Sequence, residues 1–367
     1  MTISPLNRRR LNNFKANRRG YYSMWIFLAL FVTSLFAEFI ANDKPIVVYL
    51  NGELFFPVYE FVTEAELGGE LPIEADYADP YVKDLIEKGN GWTINPPIPY
   101  SYDSIDLYID SSAPAHPSGQ HWLGTDDSAK DTLGRLIYGF RLSVLFGITL
   151  TLISSCIGIA VGALQGYFGG LVDLIGQRLV EIWNSLPTLL ILIIMASIFQ
   201  PTVYMLLFIL VFFSWMALVA VVRAEFLRAR NFDYVRAARS LGVSNLTIMR
   251  RHVLPNAMVA TLTFVPFILS GAVTTLTALD FLGFGLPAGS PSLGELLAQG
   301  KNNVHAPWLG LTGFFTLAIL LTLLIFVGEA ARDALDPRRT MSDPLTIGPT
   351  AATVGAADTV EASATTD

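Results

Sequence analysis

The 367-residue chain predicts an all-α membrane protein with six transmembrane helices and an extracytoplasmic insert of about 95 residues between the first two. Three observations carry that prediction. Hydrophobic residues make up 52% of the chain and charged residues only 15%, where a soluble domain carries about 25% charged residues, and mean hydropathy is +0.49. The apolar residues are gathered into runs long enough to cross a bilayer, which takes about 20 residues at 1.5 Å each. The charges are segregated: residues 1–20 hold Arg8, Arg9, Arg10, Lys15, Arg18 and Arg19 and no acid, whereas residues 42–136 hold 17 Asp and Glu against 5 Lys and Arg. Such asymmetry is orientation information rather than the mark of a nucleic-acid partner.

The first span is residues 21–41, preceded by the basic arm 1–20. A signal peptide shares the basic start, but this apolar run is longer than a signal h-region and no small-x-small site ends it, so it reads as an uncleaved anchor. Residues 42–136 leave the membrane. They combine acids, prolines (Asn95-Pro96-Pro97, Pro99) and tyrosines (Tyr100, Tyr102, Tyr108) with short β-like pieces at 46–50 and 53–62, and show no strong core. The core of the protein is then 137–339. Its second span is 142–164. The run 182–222 would be about 60 Å long as one helix, so it reads as two spans broken at Gln200-Pro201. A charged cytoplasmic segment, 223–256, precedes a fifth span at 253–281 and a sixth at 309–328. Residues 340–367, rich in Ala and Thr, read as a disordered cytoplasmic tail.

Cytoplasmic loops are enriched in Lys and Arg. Six crossings place the basic arm, the segment with Arg223, Arg228, Arg230, Arg236, Arg239, Arg250 and Arg251, and the end with Arg332, Arg338 and Arg339 all inside. They place the acidic insert outside. An odd count would put one basic segment on the wrong side.

The segment richest in information runs Asp233-Tyr-Val-Arg-Ala-Ala-Arg-Ser-Leu-Gly242, then Val243-Ser-Asn-Leu-Thr-Ile-Met-Arg-Arg-His252, then Val253-Leu254-Pro255-Asn256. The pattern predicts a short helix over 234–241 with Ala237, Ala238 and Leu241 on one face. Gly242 suits its C-terminal cap, where the left-handed backbone costs little without a Cβ. A second amphipathic piece leads to Pro255, which can open the next helix. A helix–Gly–helix elbow therefore lies across the cytoplasmic surface between two spans.

Two alanines, three residues, a glycine, and Leu-Pro after eleven more resemble the EAA loop of type I ABC importer permeases. The resemblance implies that Ala237, Ala238, Leu241, Gly242, Val243 and Ser244 contact a partner ATPase through a short coupling helix, with Leu254 and Pro255 ending the elbow. Arg236 stands at the motif's first position in place of Glu, a variant seen among peptide-importer members. The resemblance extends over about 120–339: His121-Trp-Leu-Gly-Thr-Asp-Asp127 leading into Thr132-Leu-Gly-Arg-Leu-Ile-Tyr-Gly-Phe-Arg-Leu-Ser143, Gly166-Tyr-Phe-Gly-Gly170 with Asp173, Phe281-Leu-Gly-Phe-Gly285, and Asp333-Ala-Leu-Asp-Pro337. The insert and Thr277-Ala-Leu-Asp-Phe-Leu-Gly-Phe-Gly-Leu-Pro287 are most similar to the C-type permease of the branch importing microcin C and oligopeptides. Where many relatives carry Glu before Phe-Leu-Gly and Trp downstream, this chain has Leu276 or Thr277, and Leu293, so substrate-contact roles do not transfer.

The resemblance implies a multi-pass protein of the bacterial inner membrane with both termini cytoplasmic. Its implied partners are a second (B-type) permease subunit, ATPase subunits, a periplasmic binding protein, the lipid bilayer and a peptide substrate, with no nucleic acid. No cofactor is expected on this chain, ATP and Mg being held by the ATPases. It contains no Gly-x-x-x-x-Gly-Lys-Ser/Thr loop, Gly300-Lys301 coming nearest, and is expected to be a non-catalytic subunit.

Other features carry less. Gly158, Gly162 and Gly166 recur every four residues, a face suited to close helix packing in lipid. Pro187 and Pro266 fall within expected spans, where prolines are tolerated. Asp280, toward the outer end of the fifth span, could meet a substrate amine or simply lie at the interface; Glu181 reads as interfacial. Cys156, alone in an apolar run, reads as a buried, inert thiol. Three rivals account for less. An ion-coupled secondary transporter would bring internal repeats and mid-membrane charges. A non-transporting scaffold explains the spans but not the elbow, and an intramembrane hydrolase would need a His/Asp/Ser or metal constellation.

Overall fold

Asn17 breaks the basic arm into two helices, α1 (Pro5–Ala16) and α2 (Arg18–Leu35), by accepting a hydrogen bond from the backbone N–H of Gly20 at 3.3 Å. A computed structural model describes residues 5–107, 109, 112–199 and 202–335. A short helix, α3 (Ala37–Ile40), leads into the insert, which is ordered around a small sheet rather than lacking a core. Strands β1 (Val47–Leu50), β2 (Glu53–Phe55) and β3 (Trp92–Ile94) form an antiparallel sheet in the order β2-β1-β3, with Tyr49 opposite both Leu54 and Trp92. The strand expected over 53–62 stops at Phe55, two residues before Pro57, which has no N–H to donate. Helix α4 (Pro80–Lys88), capped by Asp79, covers the sheet. Val48, Leu50, Val62, Leu67, Val82 and Ile86 are buried between them. Only the membrane core is all-α.

Helix α5 (Thr132–Phe168) begins where the Asp131 carboxylate accepts from the backbone N–H of Gly134 at 2.7 Å. That cap moves the insert boundary from 136 to 131. It also extends the second span beyond the expected 142–164, because the helix continues past the apolar window at both ends. The run expected to start a third span at 182 instead belongs to α6 (Gly170–Asn184), entered through the positive-φ pair Gly169 and Gly170. Helix α7 (Thr188–Ile198) follows a 62° bend at Pro187. Gln200 and Pro201, the expected break, lie outside the described residues. Helices α8 (Val203–Ser214) and α9 (Met216–Ala229) follow as one 27-residue apolar stretch.

The elbow comprises α10 (Asp233–Ser240), α11 (Asn245–Thr247) and a π-helical turn, Ile248–Val253. Helices α12 (Leu254–Leu262) and α13 (Val265–Phe281) are bent by 55°, with Pro266 in the first turn after the bend. Both prolines of the expected spans thus mark breaks, where a missing N–H does least harm. The Gly/Pro-rich stretch between the last two spans contains a further helix, α14 (Leu293–Asn302), before α15 (Pro307–Leu335). The expected tail, with Pro337, Arg338 and Arg339, lies outside the described residues. Among those residues three helices are long and apolar enough to cross a membrane, or up to five if each bent pair is one span. Helix α2, which opens on Arg18-Arg19, is not among them.

The helices meet through small residues. An ideal Cβ at Gly158 would lie 2.4 Å from the carbonyl oxygen of Trp215. At Gly162 it would lie 2.7 Å from Val219 O, and at Gly166 2.5 Å from Arg223 O. The four-residue glycine repeat is therefore the seam between α5 and α9. Cys156, expected inside, lies instead on an exposed side of α5. A helix apolar all round does not reveal in its sequence which side meets lipid.

At the insert end of the helices, buried polar groups tie the insert to them. Arg135, 1% exposed, pairs with Asp126, with Glu295 at 2.8 Å, and donates to Ser290 O at 3.2 Å. His121 is hydrogen-bonded to Asp131 at 2.9 Å and to Asp106 at 3.2 Å.

Replacing Gly162 by Ile overpacks the α5–α9 seam. We expect a loss of about 1–3 kcal/mol, read as a lower midpoint for thermal unfolding in detergent, whereas Gly119→Ala, with nothing within 4 Å of its Cβ, leaves the midpoint in place. Removing the Asp126 carboxylate leaves the buried Arg135 with Glu295 as its one counter-charge and the N–H groups of Ser128 and Lys130 without their acceptor. Asp126→Ala is expected to cost about 3–5 kcal/mol in the same measurement.

Candidate coupling elbow

The turn after α9 hands the chain to α10, whose inward side is set by residues three apart: Val235 is fully buried and Ala238 9% exposed. The helix ends in a Schellman arrangement. Gly242, at φ +75°, donates its N–H to Arg239 O at 3.0 Å, and Val243 donates to Ala238 O at 3.1 Å. Nothing lies within 4 Å of the Cβ position at Gly242, so glycine is needed there for its backbone and not for space.

The return leg starts with Ser244, whose hydroxyl caps α11 at the N–H of Thr247. The π turn then carries Ile248, Met249 and Val253 into the interior. They join Ala163 and Tyr167 of α5 and Val222 and Phe226 of α9 in one cluster, against which Val243 and Leu254 also pack. Tyr167 adds a hydrogen bond to Asn245 Oδ1 at 2.9 Å, and its ring lies 5.4 Å under the Arg239 guanidinium. Pro255 sits in the first turn of α12. Beside the cluster, Arg223 of α9 holds Asp173 of α6 through two hydrogen bonds, that from Nη2 at 2.7 Å.

The outward side is different in kind. Arg236, Ala237, Gly242 and Ser244 are exposed. Leu241 is 83% exposed and Leu246 74% exposed. The face expected to hold Ala237, Ala238 and Leu241 together is therefore split: Ala238 turns inward with Val235, while Ala237 and Leu241, four apart, share the outer side. Leu246 went unnoticed in the sequence because it falls in a three-residue helix too short to show a period. Tyr167 was visible only as part of a motif, since its partner lies 78 residues away.

Asp280 lies at the C-terminal end of α13, away from the elbow. One carboxylate oxygen accepts from the Leu286 N–H at 2.6 Å and the other from the Ser292 hydroxyl, bracing the loop that leads to α14. Glu181 is exposed and paired with Arg178 one turn before it.

The helices are of membrane type, and the elbow is seated on the α5–α9 pair. Residues 158–341 match the family model "Binding-protein-dependent transport system inner membrane component". The chain is 58% identical to the peptidoglycan transport system permease protein YejE of Agrobacterium fabrum, over 92% of this chain and 94% of that one. It is likewise 58% identical to the inner membrane ABC transporter permease protein YejE of Escherichia coli K12, covering 92% and 98%. Against the oligopeptide transport system permease protein OppC of Haemophilus influenzae it is 33% identical, over 65% and 77%. The chain belongs to the binding-protein-dependent ABC transporter permeases.

Because Gly242 serves by its backbone, Gly242→Asn, which tolerates the left-handed region, is expected to behave as wild type. Gly242→Val costs about 1–2 kcal/mol there. Limited trypsin digestion in detergent should show the elbow arginines of the Val variant cut about tenfold faster, with the Asn variant unchanged.

Proposed function

We propose that this chain is one of two transmembrane subunits of an ATP-driven importer of peptides or peptide-like compounds, and that the outer face of the elbow is where an ATPase subunit docks. One observation carries the reading: Leu241 and Leu246 stand exposed on either side of Gly242, on an elbow whose other face is locked into the α5–α9 core. A partner covering both leucines gains apolar burial, and movement at that contact passes into two long helices without a flexible joint. Arg236, Ala237 and Ser244 fall within the docking face; Ala238, Val243, Leu254 and Pro255 shape it from behind. Peptide-type cargo follows from the peptidoglycan and oligopeptide transport named for the relatives.

In this reading α2 is the first span. Together with α5, the α6–α7 and α12–α13 pairs, α8–α9 and α15, it makes six, with the basic arm and elbow cytoplasmic and the insert outside. ATP and Mg are held by the ATPases, so the chain itself is non-catalytic. The other partners are a second permease subunit and a periplasmic binding protein, which releases cargo into the pathway. The acidic insert either helps to dock that binding protein or is a solvated decoration.

Purification of the tagged chain in gentle detergent, with its co-purifying proteins identified, tests the assignment. The wild type should bring an ATPase and a second permease, and Leu241→Asp should retain the permease and lose the ATPase. A wild type that runs alone at every detergent strength would sink the reading.

A further inference from the structure

A cavity of about 950 Å³ opens between the insert, the first half of α5, the start of α8 and the loop before α14. Its walls are mixed. Leu142, Phe146 and Leu207 supply an apolar side, and Tyr102 and Tyr138, with ring centres 5.0 Å apart, an aromatic one. That volume lies at the upper end of the range for small-molecule sites, about 300–1,000 Å³.

Three charged side chains line it, and they are not equivalent. Arg141 is neutralised: its guanidinium is held by both oxygens of Glu38, at 2.7 and 2.9 Å, and lies over the Tyr138 ring. Lys130 is half-buried, with its ammonium near Gly289, and among the described residues that ammonium has no hydrogen-bond or ion-pair partner. Asp103 stands exposed at the rim of the cavity, and among the described residues its carboxylate has no hydrogen-bond or ion-pair partner. One unpaired cation and one unpaired anion therefore face a single mixed cavity and do not pair with each other. A half-buried ammonium is best satisfied by a carboxylate, and a carboxylate by an ammonium, through charge-assisted hydrogen bonds.

We propose that this cavity is a subsite for zwitterionic short peptides, in which Lys130 takes the carboxylate end, Asp103 the ammonium end, and the apolar and aromatic walls the side chains between. The inference rests on the importer reading and adds the end-group chemistry of the cargo. Because the cavity opens toward the insert at one end of the spans, in the importer reading it receives peptide released by the binding protein before the pathway carries it inward. A peptide blocked at one end meets only half of the charged pair.

The test is uptake by the complete importer in proteoliposomes, with its binding protein and ATP, using radiolabelled trialanine and trialanine amide. Each variant is compared with wild type on the same two peptides, so recognition by the binding protein cancels. Lys130→Gln should raise the apparent KM for trialanine about tenfold and leave that for the amide within about twofold, while Lys130→Arg keeps the wild-type preference. Equal effects on both peptides, or no effect on either, would overturn the subsite. If Lys130→Gln does not assemble, Asp103→Asn with N-acetyl-trialanine is the mirror test: trialanine should suffer and the acetylated peptide should not, and equal effects again overturn it. Absence of ATP-dependent uptake of any peptide by wild type would count against the importer reading instead.

Discussion

Everything else in the molecule is hung on the close approach of α5 and α9. Lipid gives two apolar helices no hydrophobic reason to associate, so contact depends on van der Waals fit. Three glycines on one face of α5 let the backbone of α9 come within reach of a carbonyl at every turn. A side chain at any of them would hold the helices apart. The seam ends beside the elbow with Arg223 and Phe226, the residues that seat α6 and the elbow.

That placement explains how an exposed loop can be rigid. The elbow has little apolar surface of its own, but Val235, Ala238, Ile248 and Val253 are driven into the end of the α5–α9 pair. The Schellman cap at Gly242 satisfies two carbonyls that would otherwise be orphaned at the end of a short helix. Inward anchoring and outward exposure follow from the same short stretch of chain because α10 turns by about 100° per residue.

The outer end uses another chemistry. There the chain is no longer confined to helices, and buried charges appear that the membrane would not tolerate unpaired. Arg135 at the root of α5 gathers Asp126 from the insert and Glu295 from α14, and His121 bridges two aspartates. A buried pair of this kind adds little net stability but loses much when half of it is removed. The network holds the insert in a set orientation over the cavity that Lys130 and Asp103 line.

Helix type and approximate position were legible in the apolar runs, and so was the elbow with its left-handed glycine, because each depends on residues close in sequence. The glycine seam could be read as a packing face, though its partner could not. Other features were hidden for identifiable reasons. The sheet of the insert joins Val48 to Val82 and Ile86 across more than thirty residues of irregular chain. Helix α14 is short and sits in a Gly/Pro-rich stretch. The bends at Pro187 and Pro266 turn apparent single spans into pairs. By itself, then, the sequence determined that this is a polytopic helical membrane protein with a capped basic elbow, since hydropathy, charge and cap chemistry are local, and its motif spacings carried the resemblance to ABC importer permeases. Only the tertiary structure decided which side of each helix meets protein: Cys156 outside, Ala238 inside, Ala237 and Leu241 apart. An apolar helix in lipid carries no hydropathy contrast to reveal its buried face, so long-range packing makes that choice.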